Sequence, residues 1–165
     1  MRFHSAVILT MVLGAAVPDP AAAQHLTAPD RRQVEAELVE FMQAVASAMR
    51  SADAEQILSL YGRPDVFVNI EDGEVVPYER MAAEVREFTA RVSVVDVRWV
   101  GEPRFVILDR DAAVIYGFHH FAGAEGFPAH TGVWTGVVQR IEGRWRIVHA
   151  HGSDASPQAA PSSPP

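Results

Sequence analysis

Two histidines near the end of the chain have the residue type and spacing best suited to chemistry. His149 and His151 are separated by one residue in a segment where large apolar side chains alternate with others. Because successive strand residues point to opposite faces, this alternation predicts that both imidazoles share a face with Trp145 and Ile147. Their backbones would then lie about 6–7 Å apart, so both rings could contact one substrate, water or metal.

These histidines are therefore our first candidate catalytic residues. An imidazole kept neutral by an apolar pocket can act as a base near pH 7. The structural alternative is that one ring hydrogen-bonds to the helices and the other caps the strand end. Asp96 is a third catalytic candidate, because an apolar setting could activate this carboxylate as a general base. Its alternative is a polar strand residue that simply faces solvent.

A metal site is a more specific form of the same hypothesis. A His-x-His pair on a strand supplies two zinc-type ligands, and His119, His120 or His130 could supply a third. His119 and His120 are adjacent, so they point to opposite faces and at most one of them could join. No carboxylate lies at a convincing ligand spacing. We therefore predict no metal and no other cofactor.

Aromatic and polar residues of the predicted strands are the candidates for lining a small-molecule pocket. Tyr116 and Trp134 are the strongest of these candidates, because they fall in strands next to the strand that carries the histidine pair. The full set of ligand-binding candidates, with those two first, is Tyr116, Trp134, Trp99, Asn69 and Tyr61. The alternative for each aromatic residue is a place in the hydrophobic core.

Helical periodicity dominates the first half of the chain and strand alternation the second. Thr27 predicts the start of a helix of about five turns, Asp53 caps a shorter one, and Pro77 opens a third that ends near Arg91. Strands are predicted over residues 66–70, 92–100, 104–108, 112–121, 130–141 and 144–151, with a bulge or bend at 101–103. Helices segregated from an antiparallel sheet indicate the α+β class.

Composition and the two ends of the chain limit the function classes. The chain has 165 residues, a net charge of −7 and no cysteine, which argues against a nucleic-acid partner, disulfides and thiolate metal sites. Residues 1–23 have the pattern of a secretory signal peptide, with Arg2, an apolar run and Ala21-Ala22-Ala23 before Gln24. We predict cleavage after Ala23, export to the periplasm, no membrane attachment afterwards, and a disordered tail over residues 154–165.

Three short segments resemble a known family. The ending GRWRIVHAHGS at 143–153, DAAV at 111–114 and TGVV at 135–138 are similar to the SnoaL-like branch of the nuclear-transport-factor-2-like superfamily. The resemblance covers about residues 31–153. It implies a cone-shaped α+β barrel, in which a strongly curved, mainly antiparallel sheet wraps the long first helix and leaves a pocket at its open end. It also implies frequent homodimers through the outer sheet face.

Members of this superfamily include ketosteroid isomerases, polyketide cyclases, dehydratases and non-catalytic binders, so the resemblance implies no single reaction. The leading interpretation is an exported domain over residues 24–153 that binds a small apolar or amphipathic molecule, oriented by His149, His151 and Tyr116. The second is a cofactor-free isomerase, cyclase or dehydratase in which a histidine or Asp96 moves a proton. The third is a non-catalytic dimerisation module.

Overall fold

The computed structural model describes residues 26–71, 73–124 and 127–154. Its helices are α1 (Ala28–Ser51), α2 (Ala54–Leu58) and α3 (Tyr78–Arg91). Its strands are β1 (Val68–Glu71), β2 (Glu74–Val76), β3 (Val97–Ile107), β4 (Ala112–Phe121), β5 (His130–Ile141) and β6 (Arg144–Asp154). The predicted signal peptide lies outside the described residues, as does the predicted tail except for Asp154, which ends β6.

The six strands form one mixed sheet in the order β2-β1-β6-β5-β4-β3. Neighbouring strands are antiparallel except β1 and β6, which are parallel. The helices lie mostly before the long strands, and α1 packs against β3. The predicted α+β class is confirmed. Over the described residues the sheet is open, because its edge strands β2 and β3 do not pair with each other.

A capping box at its first turn and a stripe of apolar residues along one side both favour helix α1. The Thr27 hydroxyl accepts from the Asp30 backbone N–H, and the Asp30 carboxylate accepts from the Thr27 backbone N–H, each at 3.3 Å. The buried stripe recurs at helical spacing and contains Val34, Leu38, Phe41, Met42 and Ala48. This stripe, centred on the fully buried Leu38, joins the inner residues of the long strands in one hydrophobic core.

The first three strands differ from the sequence prediction. Strand β1 covers Val68–Glu71 instead of residues 66–70, and β2, which pairs with it, was not among the predicted strands. The hairpin closes through Gly73, whose φ is +86°. Strand β3 begins at Val97, so residues 92–96 are not part of it. Three-residue edge strands are too short for their alternation to be recognised in a sequence. Over the described residues no helix is long and apolar enough to cross a membrane.

Two β-bulges interrupt the long strands. The register of β3 against β4 shifts between Val100 and Arg104, where Gly101 has a φ of +81°, and this bulge was predicted. A second shift occurs in β6, where Ile147 pairs with Val138 and His149 pairs with Val137. Val148 therefore has no paired residue on β5 and is the extra residue of this bulge. A bulge bends its strand and reverses the faces of the side chains that follow it, relative to simple alternation.

Candidate functional site

The two faces of the sheet have different environments. The inner face packs on the helices, and on β4 it carries the buried residues Ala113, Ile115 and Phe121. The outer face carries the residues between them, including Tyr116 and Phe118, which are 42% and 53% exposed. The cross-strand register then assigns the paired residues of the four long strands to one face or the other.

The predicted face of the histidine pair is wrong. Trp145 and Ile147 are buried on the inner face, but His149 and His151 are opposite the outer-face residues Val137 and Thr135. Ala150, between the two histidines, is the buried residue. The cause is the bulge at Val148, because one extra residue moves both imidazoles away from the core side.

Two other histidines lie on the inner face. His119 pairs with Trp99 on β3 and with Gly132 on β5, and His130 pairs with the buried Phe121. The ring centroids of His119 and His130 are 5.8 Å apart and their planes are nearly perpendicular. In the sequence these histidines appeared only as possible third metal ligands. The position of His119 follows from counting in steps of two along β4 from its apolar inner residues, and that of His130 follows from its pairing with Phe121.

Trp99 and Trp134 complete what we call the inner-face cluster, consisting of Trp99, His119, His130 and Trp134. The two indole rings are in edge-to-face contact, with centroids 6.0 Å apart. All four side chains are partly exposed, although they lie on the same face as the buried core. Trp99 and Trp134 also pack against the hydrophobic core, so the cluster continues that core into a partly exposed region at one end of the face.

Glycines make room for these rings. A Cβ at Gly136 would lie 2.1 Å from Cη2 of Trp134, and a Cβ at Gly117 would lie 2.9 Å from Cζ3 of Trp99. A Cβ at Gly132 would lie 2.5 Å from Cε1 of His119. Such distances are well inside van der Waals contact, so a side chain at any of these positions would displace a ring of the cluster. Glycine inside a strand is the sequence signal for such a close approach.

An aromatic wall from α3 borders the cluster. Phe88 packs edge-on against Phe121 at 6.1 Å and against Phe127 at 4.7 Å between ring centroids. Phe121 also contacts the ring of His130, at 5.3 Å. The imidazole of His130 thus lies beside an apolar surface, which is the environment that favours binding of an apolar ligand body next to a polar group.

The remaining predicted site residues are spread over the molecule. Asp96 is not in the predicted apolar setting, since its carboxylate is 53% exposed and accepts a hydrogen bond from Arg98 at 3.0 Å. Asn69 is buried, on the inner face opposite Ala150. Tyr61 packs edge-on against Phe67, and burial, together with the charge of Glu71, raises the pKa of its phenol to about 12. Tyr116 lies on the outer face, whereas Trp99 and Trp134 lie in the cluster.

Charged residues dominate the opposite end of β4 and β5. The guanidinium of Arg140 donates to Glu37 at 2.5 Å and to Asp111 at 2.9 Å, and it lies 4.6 Å from the ring of Trp145. A surface pocket of about 280 Å³ is lined by this network, and a second of about 370 Å³ lies beside the β5–β6 turn. Within the described ranges no group of three histidine, aspartate or glutamate residues could hold a metal ion.

Comparisons with known proteins agree with this architecture. The chain is similar to a nuclear transport factor 2-like superfamily protein from Salmonella enterica, with a TM-score of 0.64 and 20% identity over 80% of this chain and 99% of that one. It is also similar to a putative dehydratase of the NTF2-like family from Streptomyces avermitilis, with a TM-score of 0.61 and 16% identity over 76% and 98%. A third similar structure is the association domain of CaMKII from C. elegans, with a TM-score of 0.58 and 20% identity over 77% and 99%.

At these identities the solved structures establish the fold alone. No curated protein sequence matches the chain. The SnoaL-like domain family matches residues 38–157, which is most of the chain and includes the inner-face cluster. The chain therefore belongs to the SnoaL-like domain family, with an NTF2-like fold.

Proposed function

We propose that this protein binds a small apolar or amphipathic molecule against the inner-face cluster. The observation that carries this proposal is the partial exposure of Trp99, His119, His130 and Trp134 on the inner face, beside the buried core. Large aromatic side chains left partly exposed in a group are typical of a recognition surface. Here glycines leave the space that the rings of Trp99, His119 and Trp134 occupy.

The chemistry of the cluster defines the class of ligand. The indoles of Trp99 and Trp134 offer apolar ring surface and one N–H donor each. The imidazoles of His119 and His130 can donate or accept a hydrogen bond according to their tautomer. A ligand with a ring or aliphatic body and one carbonyl or hydroxyl group fits this combination, because its body would cover the indoles while its polar group meets an imidazole.

Substitution of the tryptophans tests the site. The ligand is identified by native mass spectrometry of protein purified from its own host, and its affinity is measured by quenching of tryptophan fluorescence. Trp99→Leu and Trp134→Leu are each expected to weaken binding about tenfold or more, because each removes ring contact area. The third tryptophan, Trp145, is buried in the core and contributes a constant background.

Tyr116→Leu is the matched control, since it removes an aromatic ring from the neighbouring position on the opposite face of the same sheet. It is expected to leave the affinity unchanged. The proposal would be contradicted if Tyr116→Leu weakened binding while the two tryptophan variants bound as the original chain does. Circular dichroism of each variant checks that the fold is retained.

A second candidate function is proton transfer by His119 and His130. It is favoured by the 5.8 Å separation of the two rings, which suits an acid and a base acting on one ligand. One structurally similar protein is described as a putative dehydratase. In D₂O the bound ligand is expected to exchange hydrogen for deuterium next to its carbonyl group, as followed by proton NMR.

Two double variants test which pair of histidines transfers the proton. His119→Asn with His130→Asn is expected to reduce this exchange about a hundredfold or more, in the range of general acid–base catalysis. His149→Asn with His151→Asn carries the same chemical change on the outer face and is expected to leave exchange intact. Exchange that survives the first double variant and disappears in the second would contradict this assignment.

Self-association through the outer face is the third component of the proposal. Val100, Phe118 and Tyr116 are 55%, 53% and 42% exposed and adjacent through the β3–β4 pairing. Among the similar structures, the CaMKII protein of C. elegans is described as an association domain. We propose a homodimer in which two copies cover this face, because an exposed group of large apolar side chains is a common marker of an interface.

A further inference from the structure

A second surface feature lies far from the inner-face cluster, beside the turn between β5 and β6. We call it the basic pocket and define it by Arg63, Arg144 and Arg146. Its volume is about 370 Å³, and its other lining residues are Tyr61, Gly62, Ile141 and Glu142. Three arginines around one concave surface are unusual in a chain whose net charge is −7.

Backbone pairing brings these arginines together. The Ile147 N–H donates to the Leu60 carbonyl at 2.9 Å, and the Gly62 N–H donates to the Ile147 carbonyl at 2.8 Å. The segment after α2 is thereby held along β6, in parallel, with Arg63 following directly. Gly62 permits this contact, since a Cβ there would lie 3.2 Å from the side chain of Val148.

The strand geometry places the other two guanidinium groups side by side. Arg144 and Arg146 are two positions apart on β6, before its bulge, so both point to the same face. Their backbones are about 6–7 Å apart at this spacing. Side chains of this length can converge on one small group lying between them and Arg63.

The charges of the basic pocket are only partly balanced by the protein. Arg63 pairs with Asp65 at 3.5 Å, but both side chains are about two-thirds exposed, so this ion pair is weak. Arg144 and Arg146 form no ion pair with the residues that the structure describes, in contrast to Arg110 and Arg140 at the same end of the molecule. Glu142 supplies the carboxylate among the lining residues.

From this arrangement we propose that the basic pocket binds a soluble small molecule through a phosphate group or a similar oxyanion. A guanidinium group presents two parallel N–H donors that match two oxygens of a phosphate, and several such groups give a charge-assisted site. The phenol of Tyr61 lines the same pocket and is protonated at neutral pH, and burial raises its pKa further, to about 12. It therefore adds no negative charge that would repel the anion.

Titration with inorganic phosphate and pyrophosphate tests this proposal. Amide chemical shifts of the full chain are followed by NMR at constant ionic strength, with sodium chloride as the compensating salt. Saturable shifts are expected around Arg63, Arg144 and Arg146. Arg144→Gln with Arg146→Gln is expected to weaken pyrophosphate binding at least tenfold, because each removed arginine takes charge-assisted hydrogen bonds with it.

Arg98→Gln with Arg104→Gln is the matched control. It removes the same two charges from another strand of the sheet and is expected to bind pyrophosphate as the original chain does. Equal weakening by both double variants would overturn the proposal in favour of non-specific charge attraction, and so would the absence of saturation in the original chain. Binding to vesicles containing phosphatidylglycerol without any response to soluble phosphate would also overturn it. Trp134→Leu separates this site from the inner-face cluster, since it should leave phosphate binding intact.

Discussion

Replacing Arg140 with alanine is expected to lower the free energy of unfolding by about 2–3 kcal/mol. The guanidinium joins α1 to the sheet through Glu37, bonds to Asp111 in the β3–β4 turn, and covers the ring of Trp145. Arg140 and Glu37 are only 26% and 29% exposed, so removal of the cation leaves a partly buried carboxylate without its charge partner. The indole N–H of Trp145, at 3.4 Å, would remain as a weaker donor to Glu37.

Urea denaturation at pH 7 measures this loss, and Arg110→Ala is the matched control. Arg110 also pairs with a carboxylate of α1, Asp30, at 2.8 Å, but its own side chain is 58% exposed. Asp30 is only 21% exposed, but the Arg110 guanidinium is largely solvated and makes one ion pair where Arg140 makes two, so the control is expected to lose less. Equal losses in the two variants would show that burial around Arg140 has no energetic effect.

The same ion pair predicts a pH dependence. The hydrogen bond from Arg140 lowers the pKa of Glu37 below its ordinary value of 4.5, against an opposing effect of burial. A depressed folded-state pKa means that the carboxylate contributes stability above the unfolded-state value, and that this contribution is lost as the pH falls through the folded-state pKa. The stability difference between the original chain and Glu37→Gln should therefore be constant above about pH 5 and shrink below pH 4. A difference that stays the same down to pH 2 would contradict the assignment.

Phe118→Glu is expected to convert the proposed homodimer into a monomer, with a dissociation constant raised at least a hundredfold. Phe118 is 53% exposed and lies opposite Val100 and Val133, which are also exposed. In a two-fold dimer the same patch meets itself, so one substitution introduces two carboxylates into a desolvated interface. Sedimentation equilibrium or light scattering over a concentration series measures the change.

Val75→Glu is the control for that experiment. Val75 is 68% exposed on the edge strand β2, at the far side of the sheet from Phe118. It is expected to leave the association state unchanged, because a charge outside the interface is solvated in both states. A sharp transition of Phe118→Glu to monomers with an unchanged melting temperature would localise the interface to the outer face. An original chain that is monomeric at high concentration would contradict the homodimer.

Local signals in the sequence predicted the main elements of the fold. The Thr27 cap and the helical spacing of Val34, Leu38 and Phe41 indicated α1, because both signals depend on residues within a few turns of one another. The turn between the strands predicted at 130–141 and 144–151 falls at Glu142 and Gly143, and both residues have positive φ values there. Strand β4 was predicted with its observed bounds, because apolar residues cover it from Ala112 to Phe121.

The candidate site was harder to predict because face assignment accumulates errors along a strand. Simple alternation is correct for Trp145 and Ile147, and fails for His149 and His151 after one extra residue. Val148 has no feature that distinguishes a bulge from a regular strand position, unlike Gly101 in β3, whose glycine indicated one. His119, by contrast, lies on an uninterrupted strand, so alternation from Ile115 would have placed it correctly.

The position of β6 between β1 and β5 limits the order in which the strands of the sheet can pair during folding. Strand β6 is hydrogen-bonded to β5 on one side and, in parallel, to β1 on the other, so it pairs with residues of β1 that lie about 80 positions earlier in the chain. During synthesis the β1–β2 hairpin has no sheet to pair with until residues Arg144–Asp154 have been made. A nascent chain that lacks this strand keeps one edge of β5 and one edge of β1 unpaired, and such edges are sites of intermolecular pairing. Completion of β6 therefore removes two of these unpaired edges, one on β1 and one on β5.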